Sequence, residues 1–385
     1  MSQDEIEQTS PAGASASGGL HCGDNLEVLR QFVGDASVDL VYLDPPFNTA
    51  RDYGLALRQN MQWVSQDDNP AVFKDTWEWD DAARHNWSET IKLVPALSGC
   101  LQGLRSILGD TPMLAYLSMM APRLVEIRRV MKPTASIYLH CDPTASHYLR
   151  LLMDAVFGPE NFLNEIVWRY RRWPRKGRRF QRMHDILLFY SRTETRERTF
   201  DPLYGLEQLA PSTLESFGTR RQVADFSSGH RKPSTSRERS PGPPLSDVWE
   251  VGLIAPVSKE RVGYPTQKPE ALLERVVLAS SAGGQVVLDP FCGSGTALVV
   301  AHRLGRGWIG IDASPLAIEM AQRRLEHRFG IAPGATTTVA TDRVAGPATR
   351  GRASATGVEP RQTALNLQGG GKPSRTTGPS RRCDR

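Results

Sequence analysis

Residues 41–47 read Val-Tyr-Leu-Asp44-Pro45-Pro46-Phe47, an apolar strand that ends on a carboxylate, two prolines and an aromatic ring. That ending suits the planar amino group of a nucleobase. The carboxylate of Asp44 accepts one N–H. The carbonyl of the Asp44-Pro45 unit accepts the second, because proline fixes φ and brings no competing donor. The ring of Phe47 stacks on the base. Taken alone, Asp-Pro is also a common strand-ending turn, so the chemistry rests on what else the chain carries.

A second constellation lies near the other end. Residues 286–296 read Val-Val-Leu-Asp289-Pro290-Phe291-Cys292-Gly293-Ser294-Gly295-Thr296, followed by the helical run Ala297-Leu298-Val299-Val300-Ala301. Strand, Gly-x-Gly bend and helix is how open α/β sheets bring backbone amides to a ligand at a helix N-terminus. No third glycine completes the dinucleotide fingerprint. No Gly-Lys-Ser/Thr follows, which argues against a nucleoside-triphosphate loop. The next strand, Trp308-Ile309-Gly310-Ile311-Asp312, again ends on an acid. Its carboxylate falls about 20 residues after Asp289, the spacing of an acid that grips ribose hydroxyls. A plain βαβ unit, with Asp312 capping the helix after Ser314-Pro315, has the same pattern.

Together these segments resemble the DNA amino-methyltransferases, which use S-adenosylmethionine to methylate exocyclic amines of adenine or cytosine. The resemblance spans residues 20–325. Gly23-Asp24-Asn25-Leu26-Glu27-Val28-Leu29 is similar to the segment before the family's catalytic strand, and Asp44-Pro45-Pro46-Phe47 to its catalytic tetrapeptide. Tyr264-Pro265-Thr266-Gln267-Lys268-Pro269 with Asp289-to-Thr296 is similar to its cofactor-binding pair. The catalytic motif comes first, an order that resembles the permuted beta subgroup.

The resemblance implies a Rossmann-like, doubly wound, mostly parallel α/β sheet in permuted order, with one antiparallel hairpin at an edge. It also implies S-adenosylmethionine as cofactor, no metal, duplex DNA as partner, and extrusion of the target base from the stack. Asp44, Pro45, Pro46 and Phe47 would be catalytic. Asp24, Thr266, Lys268, Asp289, Phe291, Gly293, Gly295, Thr296 and Asp312 would hold the cofactor. Within that set, Asp312 would take the ribose hydroxyls, Asp24 would lie near the adenine, and Thr266 and Lys268 toward the amino-acid moiety. Gly293 and Gly295 would let the backbone approach its methionine end. An Asp at the head of the tetrapeptide resembles adenine-N6 members, whereas cytosine-N4 members tend to carry Ser. Phe47 stands where many members have Tyr. A second copy of the chain, and a cognate endonuclease as in a restriction-modification system, are further partners the resemblance raises.

Charge is concentrated rather than global. Lys and Arg number 47 against 42 Asp and Glu, a net charge of only +5. Residues 168–182 hold eight positive side chains and no acid, interleaved with Trp168, Tyr170, Trp173 and Phe180. That composition suits phosphate contacts with base stacking or wedging. Arg169, Arg171, Arg172, Arg175, Arg178 and Arg179 are the candidate DNA contacts, and a solvated basic loop is the plainer alternative. The five cysteines show no Cys-x-x-Cys spacing, which fits neither a disulfide framework nor a zinc site. No signal peptide is recognisable, and no apolar stretch approaches the ~18 residues of a membrane span. The expected location is therefore cytoplasmic.

These motifs need elements to hold them. Periodicity predicts a helix at 25–33, a strand at 38–43, and a long helix from Met113 to Met131 with Leu114, Leu117, Met120, Leu124 and Ile127 on one face. A turn at Lys132-Pro133-Thr134-Ala135 leads to a strand at 136–140, a helix at 144–157 and strands at 164–169 and 185–190. Helices at 269–281 and 314–327 flank the cofactor strands. Trp77-Glu78-Trp79-Asp80 fits both a lid and a packed loop. His140, beside Cys141 and Asp142, reads as a strand end rather than a metal or nucleophile site, and His184 as structural or DNA-facing.

Residues 1–19 read as a flexible lead, 20–330 as the methyltransferase domain, and 331–385 as a disordered tail too poor in large apolar residues to order itself. Within the domain the catalytic half covers 20–167, a target-recognition insertion 168–250, and the cofactor half 251–330. The Ser-, Thr-, Arg- and Pro-rich stretch 191–245 is expected to be structureless. The expected activity is site-specific methylation of adenine N6 in duplex DNA. Cytosine N4 as target, RNA or a protein amide as substrate, and a DNA-binding module with an inactive core are the alternatives.

Overall fold

The computed structural model describes residues 18–47, 51–53, 56–59, 62–65, 73–93, 95–227, 229–331 and 336–338. The chain enters a nine-stranded sheet at β1 (Gly18–Cys22). The next helix, α1 (Asn25–Phe32), starts where Asp24 accepts a hydrogen bond from the Leu26 amide at 2.8 Å, an N-cap. All six residues of β2 (Val38–Leu43) are buried, as a central parallel strand requires. Two short antiparallel pairs follow: β3 (Arg51–Tyr53) with β6 (Phe73–Asp75), and β4 (Ala56–Gln59) with β5 (Gln62–Ser65). Helices α2 (Asp81–Leu93), α3 (Pro95–Leu108) and α4 (Pro112–Val130) come next, the last two opening on proline.

The remaining elements complete the sheet and its covers. They are β7 (Met131–Cys141), α5 (Ser146–Phe157), β8 (Phe162–Arg169), β9 (His184–Ser191), α6 (Pro211–Phe217), the exposed antiparallel pair β10 (Arg220–Asp225) and β11 (Lys232–Arg239), and β12 (Val248–Glu250). Then come α7 (Glu270–Ser280), β13 (Val286–Asp289), α8 (Thr296–Arg303), β14 (Gly307–Asp312), α9 (Pro315–Phe329) and β15 (Thr336–Thr338). Strand order is β12-β8-β9-β7-β2-β13-β14-β1-β15, and only β9 runs against its neighbours. Alternation along the strands serves two cores. Val41, Leu43, Ile137 and Leu139 pack with helices α1 to α5, while Leu40, Tyr42, Tyr138 and Leu187 pack with α7 to α9. The result is the expected doubly wound, mostly parallel α/β sheet, entered in permuted order.

Several expectations need correction. Lys132-Pro133-Thr134-Ala135 is no turn. It lies inside β7, where the register against β2 slips between Val38 and Leu40, and the bulge accommodates a residue without an N–H. Lys132 there pairs with the buried carboxylate of Asp39 at 2.8 Å. The antiparallel hairpin β8–β9 does not end the sheet, because β12 adds in parallel to β8. The stretch 191–245 is structured in part, carrying α6 and the β10–β11 pair. Gly18 and Gly19, assigned to a flexible lead, are strand residues, and a Cβ on Gly18 would lie 2.1 Å from the Trp308 ring. Likewise β15 falls within the expected tail and pairs with β1. Residues 1–17 and 339–385 lie outside the described residues, as do the expectations placed on them.

Candidate active site

Four parallel neighbours, β2, β13, β14 and β1, end at one edge of the sheet, and each delivers an acid there: Asp44, Asp289, Asp312 and Asp24. This is the crevice outside the carboxyl ends of the strands where open α/β sheets bind ligands. A cavity of about 380 Å³ opens between them, in the range of small-molecule sites. Its lining includes all four acids, Pro45, Pro46, Phe47, Thr266, Lys268, Phe291, Gly293 and Thr296. The tetrapeptide and the glycine bend, separated by most of the chain, therefore share one cavity. Gly295 does not line it.

The glycine bend is set by hydrogen bonds to two of these acids. Asp312 accepts from the amides of Gly293 (2.9 Å) and Ser314 (2.8 Å), so it both closes the bend and ties it to the entry of α9. Burial pushes its carboxyl above the usual range, against the pull of those two amides. Burial pushes Asp289 up much further. The Phe291 amide opposes this at 3.1 Å, while the charges of Asp44 and Asp312 reinforce it.

Gly293 has φ +50°, and a Cβ there would lie 2.9 Å from the Tyr264 ring, so glycine is needed where the two cofactor-half motifs meet. Gly295 serves another purpose than expected. At φ +75° it caps α8, and a Cβ there would lie 2.9 Å from Cβ of Ala321, so it permits contact between α8 and α9. Gly310 supplies the close strand–helix approach that a third glycine of the fingerprint would give, its missing Cβ 2.4 Å from Leu298. The hydroxyl of Thr296 accepts from Arg324 at 3.0 Å, and Arg324 is itself held by Glu270 at 2.7 Å.

Lys268 lines the cavity beside the tetrapeptide. Its ammonium sits 2.5 Å from Oδ2 of Asp44, 5.2 Å from the centroid of the Phe47 ring, and donates to the Thr266 carbonyl at 3.2 Å. Thr266 carries φ +61°, a left-handed conformation costly for a β-branched residue. Gln267 braces this loop by accepting from the Val262 amide and donating to the Glu260 carbonyl. Asp24, besides capping α1, binds the buried Arg123 at 2.6 Å. Arg123 also donates to Asn25, which donates to the Pro290 carbonyl and so joins the two halves of the site. The segment 77–80 is part lining and part packed loop. Trp77 lines the cavity against Tyr116, whereas Trp79 packs edge-on against Trp87 under Arg105.

Behind Asp44 lies a group that composition and spacing did not mark. His140 is a strand end, as expected, but it is fully buried between two carboxylates. Its Nδ1 is 3.6 Å from Oδ1 of Asp44 and 2.9 Å from the Tyr42 hydroxyl, and its Nε2 is 3.6 Å from Oδ2 of Asp185. Asp185 also accepts from the Tyr170 hydroxyl at 3.1 Å. Burial would raise its carboxyl, but His140 beside it, with the charge of Lys268 and the Tyr170 hydroxyl, outweighs that and holds it below the usual range. The signal that could have found this set was register: Asp44 and His140 lie at the ends of β2 and β7, and Asp185 at the start of the antiparallel β9 beside them.

The basic segment divides. Trp168 and Tyr170 are core residues, the indole donating to the Val251 carbonyl at 2.9 Å, so they are not free to stack on bases. Arg169 pairs with Glu250, and Arg172 lies over the Tyr170 ring and donates to its hydroxyl. Arg171, Arg175, Arg178 and Arg179 are exposed and make no ion pair among the described residues. Trp173 and Phe180 are 90% and 104% exposed, and Gln181 crosses the loop to bond the Trp173 carbonyl and the Arg175 amide. His184 is half-buried at the start of β9. Among the described residues the cysteines are free, no cluster could hold a metal ion, and no helix is long and apolar enough to cross a membrane.

A family model for N6/N4 methyltransferases, described as DNA methylase, matches residues 38–323. The type II methyltransferase M.HpaI of Haemophilus parainfluenzae is 29% identical over 310 residues, 80% of this chain and 74% of that one. The DNA adenine methyltransferase YhdJ of Escherichia coli K12 is 25% identical over 305 residues, 79% of this chain and 81% of that one. Among solved structures, the cytosine-N4-specific PvuII DNA methyltransferase overlays with a TM-score of 0.47 at 14% identity, covering 82% of this chain and 89% of that one.

Proposed function

The chain belongs to the N6/N4 DNA methylase family, and from that premise we propose that it methylates the N6 amine of an adenine flipped out of duplex DNA, with S-adenosylmethionine as donor. One observation carries this reading. Oδ1 of Asp44 is buried on the cavity lining without a hydrogen-bond partner, an acceptor in need of a donor, while Lys268 occupies Oδ2. The rest of the cavity suits a cationic nucleoside cofactor. Asp24, Asp289 and Asp312 lie beside the apolar walls of Phe291 and Trp77. Asp312 would take the ribose, Asp24 would sit near the adenine, and the backbone of the glycine bend would approach the methionine end.

The cofactor supplies an electrophilic methyl carried on a sulfonium. What the chain adds is a nucleophile, because the exocyclic nitrogen of adenine has its lone pair delocalised into the ring. Oδ1 of Asp44 and the carbonyl of the Asp44-Pro45 unit accept its two N–H bonds, favouring a tetrahedral nitrogen and stabilising the charge that develops as the methyl arrives. Phe47 stacks on the base, and holding amine and methyl in line removes much of the entropic barrier.

Adenine is favoured by the Asp at position 44 and by the name of the YhdJ relative. The 168–250 region is the DNA-facing part: β8 runs parallel to β2, so the basic loop after it leaves the sheet on the side of Asp44. Transfer of tritiated methyl to duplex DNA, RNA and protein, followed by identification of the labelled base, separates this reading from its alternatives. Asp44→Ala is expected to cut the single-turnover rate by about 10²–10³-fold while cofactor affinity survives. Near-normal turnover in that variant would sink the catalytic assignment.

A further inference from the structure

Methylating an amine creates a proton-disposal problem. As the N–C bond forms, the bond to sulfur breaks with its electron pair left on sulfur, and the nitrogen becomes cationic with two N–H bonds. One of these must break, its pair staying on nitrogen. The proton passes to the nearest base, Oδ1 of Asp44, which must then be emptied. The buried histidine behind Asp44 has no part in the chemistry described so far, yet it is built like a base.

We propose that His140 is the proton acceptor of the methyl-transfer reaction, receiving at Nδ1 the proton that Asp44 takes from the target amine, with Asp185 as the counter-ion of the resulting imidazolium. The inference rests on the reading of Asp44 given above. Burial, reinforced by the charges of Asp44, Asp289 and Asp185, pushes the Tyr42 phenol up, so its hydroxyl keeps its proton and, 2.9 Å away, donates to Nδ1 whenever that nitrogen carries none. An ionised Asp185 facing Nε2 calls for the proton at that nitrogen, which leaves Nδ1 as the acceptor; as the proton arrives from Asp44, the Tyr42 hydroxyl turns so that its oxygen accepts from Nδ1–H. The separation of 3.6 Å from Oδ1 is longer than a hydrogen bond, and such gaps close in complexes with substrate.

The surroundings keep the device private. His140 is fully buried, with Phe47 and Trp168 each 5.5 Å from it by ring centroid. The ionisable groups packed around it are Asp44 and Tyr42 at the end of β2 and Asp185 on β9. Tyr170 and the cation of Lys268 act at one remove through Asp185. Once the methylated base leaves and water enters, the proton returns through Asp44 to solvent.

The test is the single-turnover rate on duplex DNA for the parent, His140→Asn, Asp185→Asn and Asp44→Ala. His140→Asn should run about 10²-fold slower, with cofactor affinity and melting temperature close to the parent's. Asp185→Asn, lacking the counter-charge, should slow the reaction in the same sense. Nitrogen NMR of the histidine ring in the free protein should show the proton on Nε2. A parent rate in His140→Asn, or a proton on Nδ1, overturns the proposal while leaving Asp44 untouched. Activity retained in Asp44→Ala overturns the underlying reading of Asp44 instead. If His140→Asn unfolds, Asp185→Asn and the ring tautomer decide alone.

Discussion

At Asp289 the fold holds a carboxyl where its charged form is least favoured: 3% exposed, with two other acids closing adjacent strands. Its folded titration lies above that of an unfolded chain. It therefore adds stability at acid pH and loses it as pH climbs from the ordinary carboxylate range, about 4, through the raised value. Asp289→Asn keeps an acceptor for the Phe291 amide and cannot ionise. The variant's melting temperature should exceed the parent's by a margin that widens from acid to neutral pH, as scanning calorimetry across that range would measure. A constant margin would mean that Asp289 is charged in the fold. The same variant should bind the cofactor more weakly, because a cationic ligand is stabilised by the carboxylate it removes. A residue that lowers stability at working pH is a residue kept for its ligand.

At the scale of elements, α8 and α9 touch through a missing side chain. Gly295→Ala would place a Cβ against Ala321 and force a left-handed alanine, costing about 2–4 kcal/mol. Adding Ala321→Gly should recover the packing share and leave the backbone share, a coupling that denaturant melts of the two single variants and the double variant would reveal. Additive losses would place the defect elsewhere. This meeting of helices also marks what the sequence made readable. Strands β2, β13 and β14 are dense apolar runs ending on acids, so their places and their ligand edge were legible from pattern alone. The doubly wound class came with the family resemblance that these runs carry. β1 was not legible, because its glycines exist to let the Trp308 ring lie across them, a constraint set nearly three hundred residues away. Nor was the Pro133 bulge, since a proline that marks a turn locally is equally at home where a ladder skips a rung. The contacts of Lys268 and His140 with Asp44 were passed over for one reason: local spacing names residue types, and only the fold shows which of them meet Asp44.

Across the whole molecule the net charge is small, so the proposed attraction to a polyanion rests on local patches, and the loop between β8 and β9 is an acid-free one. Replacing Arg171, Arg175, Arg178 and Arg179 with alanine should flatten the log–log salt dependence of duplex binding by about 0.9 for each phosphate no longer neutralised. Cofactor affinity measured by calorimetry should not move. A wild-type slope would return the loop to a solvated surface. The permuted strand order has its own effect on how the chain comes into being. β2 can pair with β7 early, but its other edge waits for β13, and roughly 240 residues must be made in between. At 5–20 residues per second that is roughly 12–50 s of synthesis. Through that interval an apolar strand edge stands open beside the future cavity, the situation in which chains pair with the wrong neighbour. The late strand that completes the ligand crevice also seals that edge, so native folding and a formed active site arrive together, and fragments ending before Val286 leave the edge unpaired.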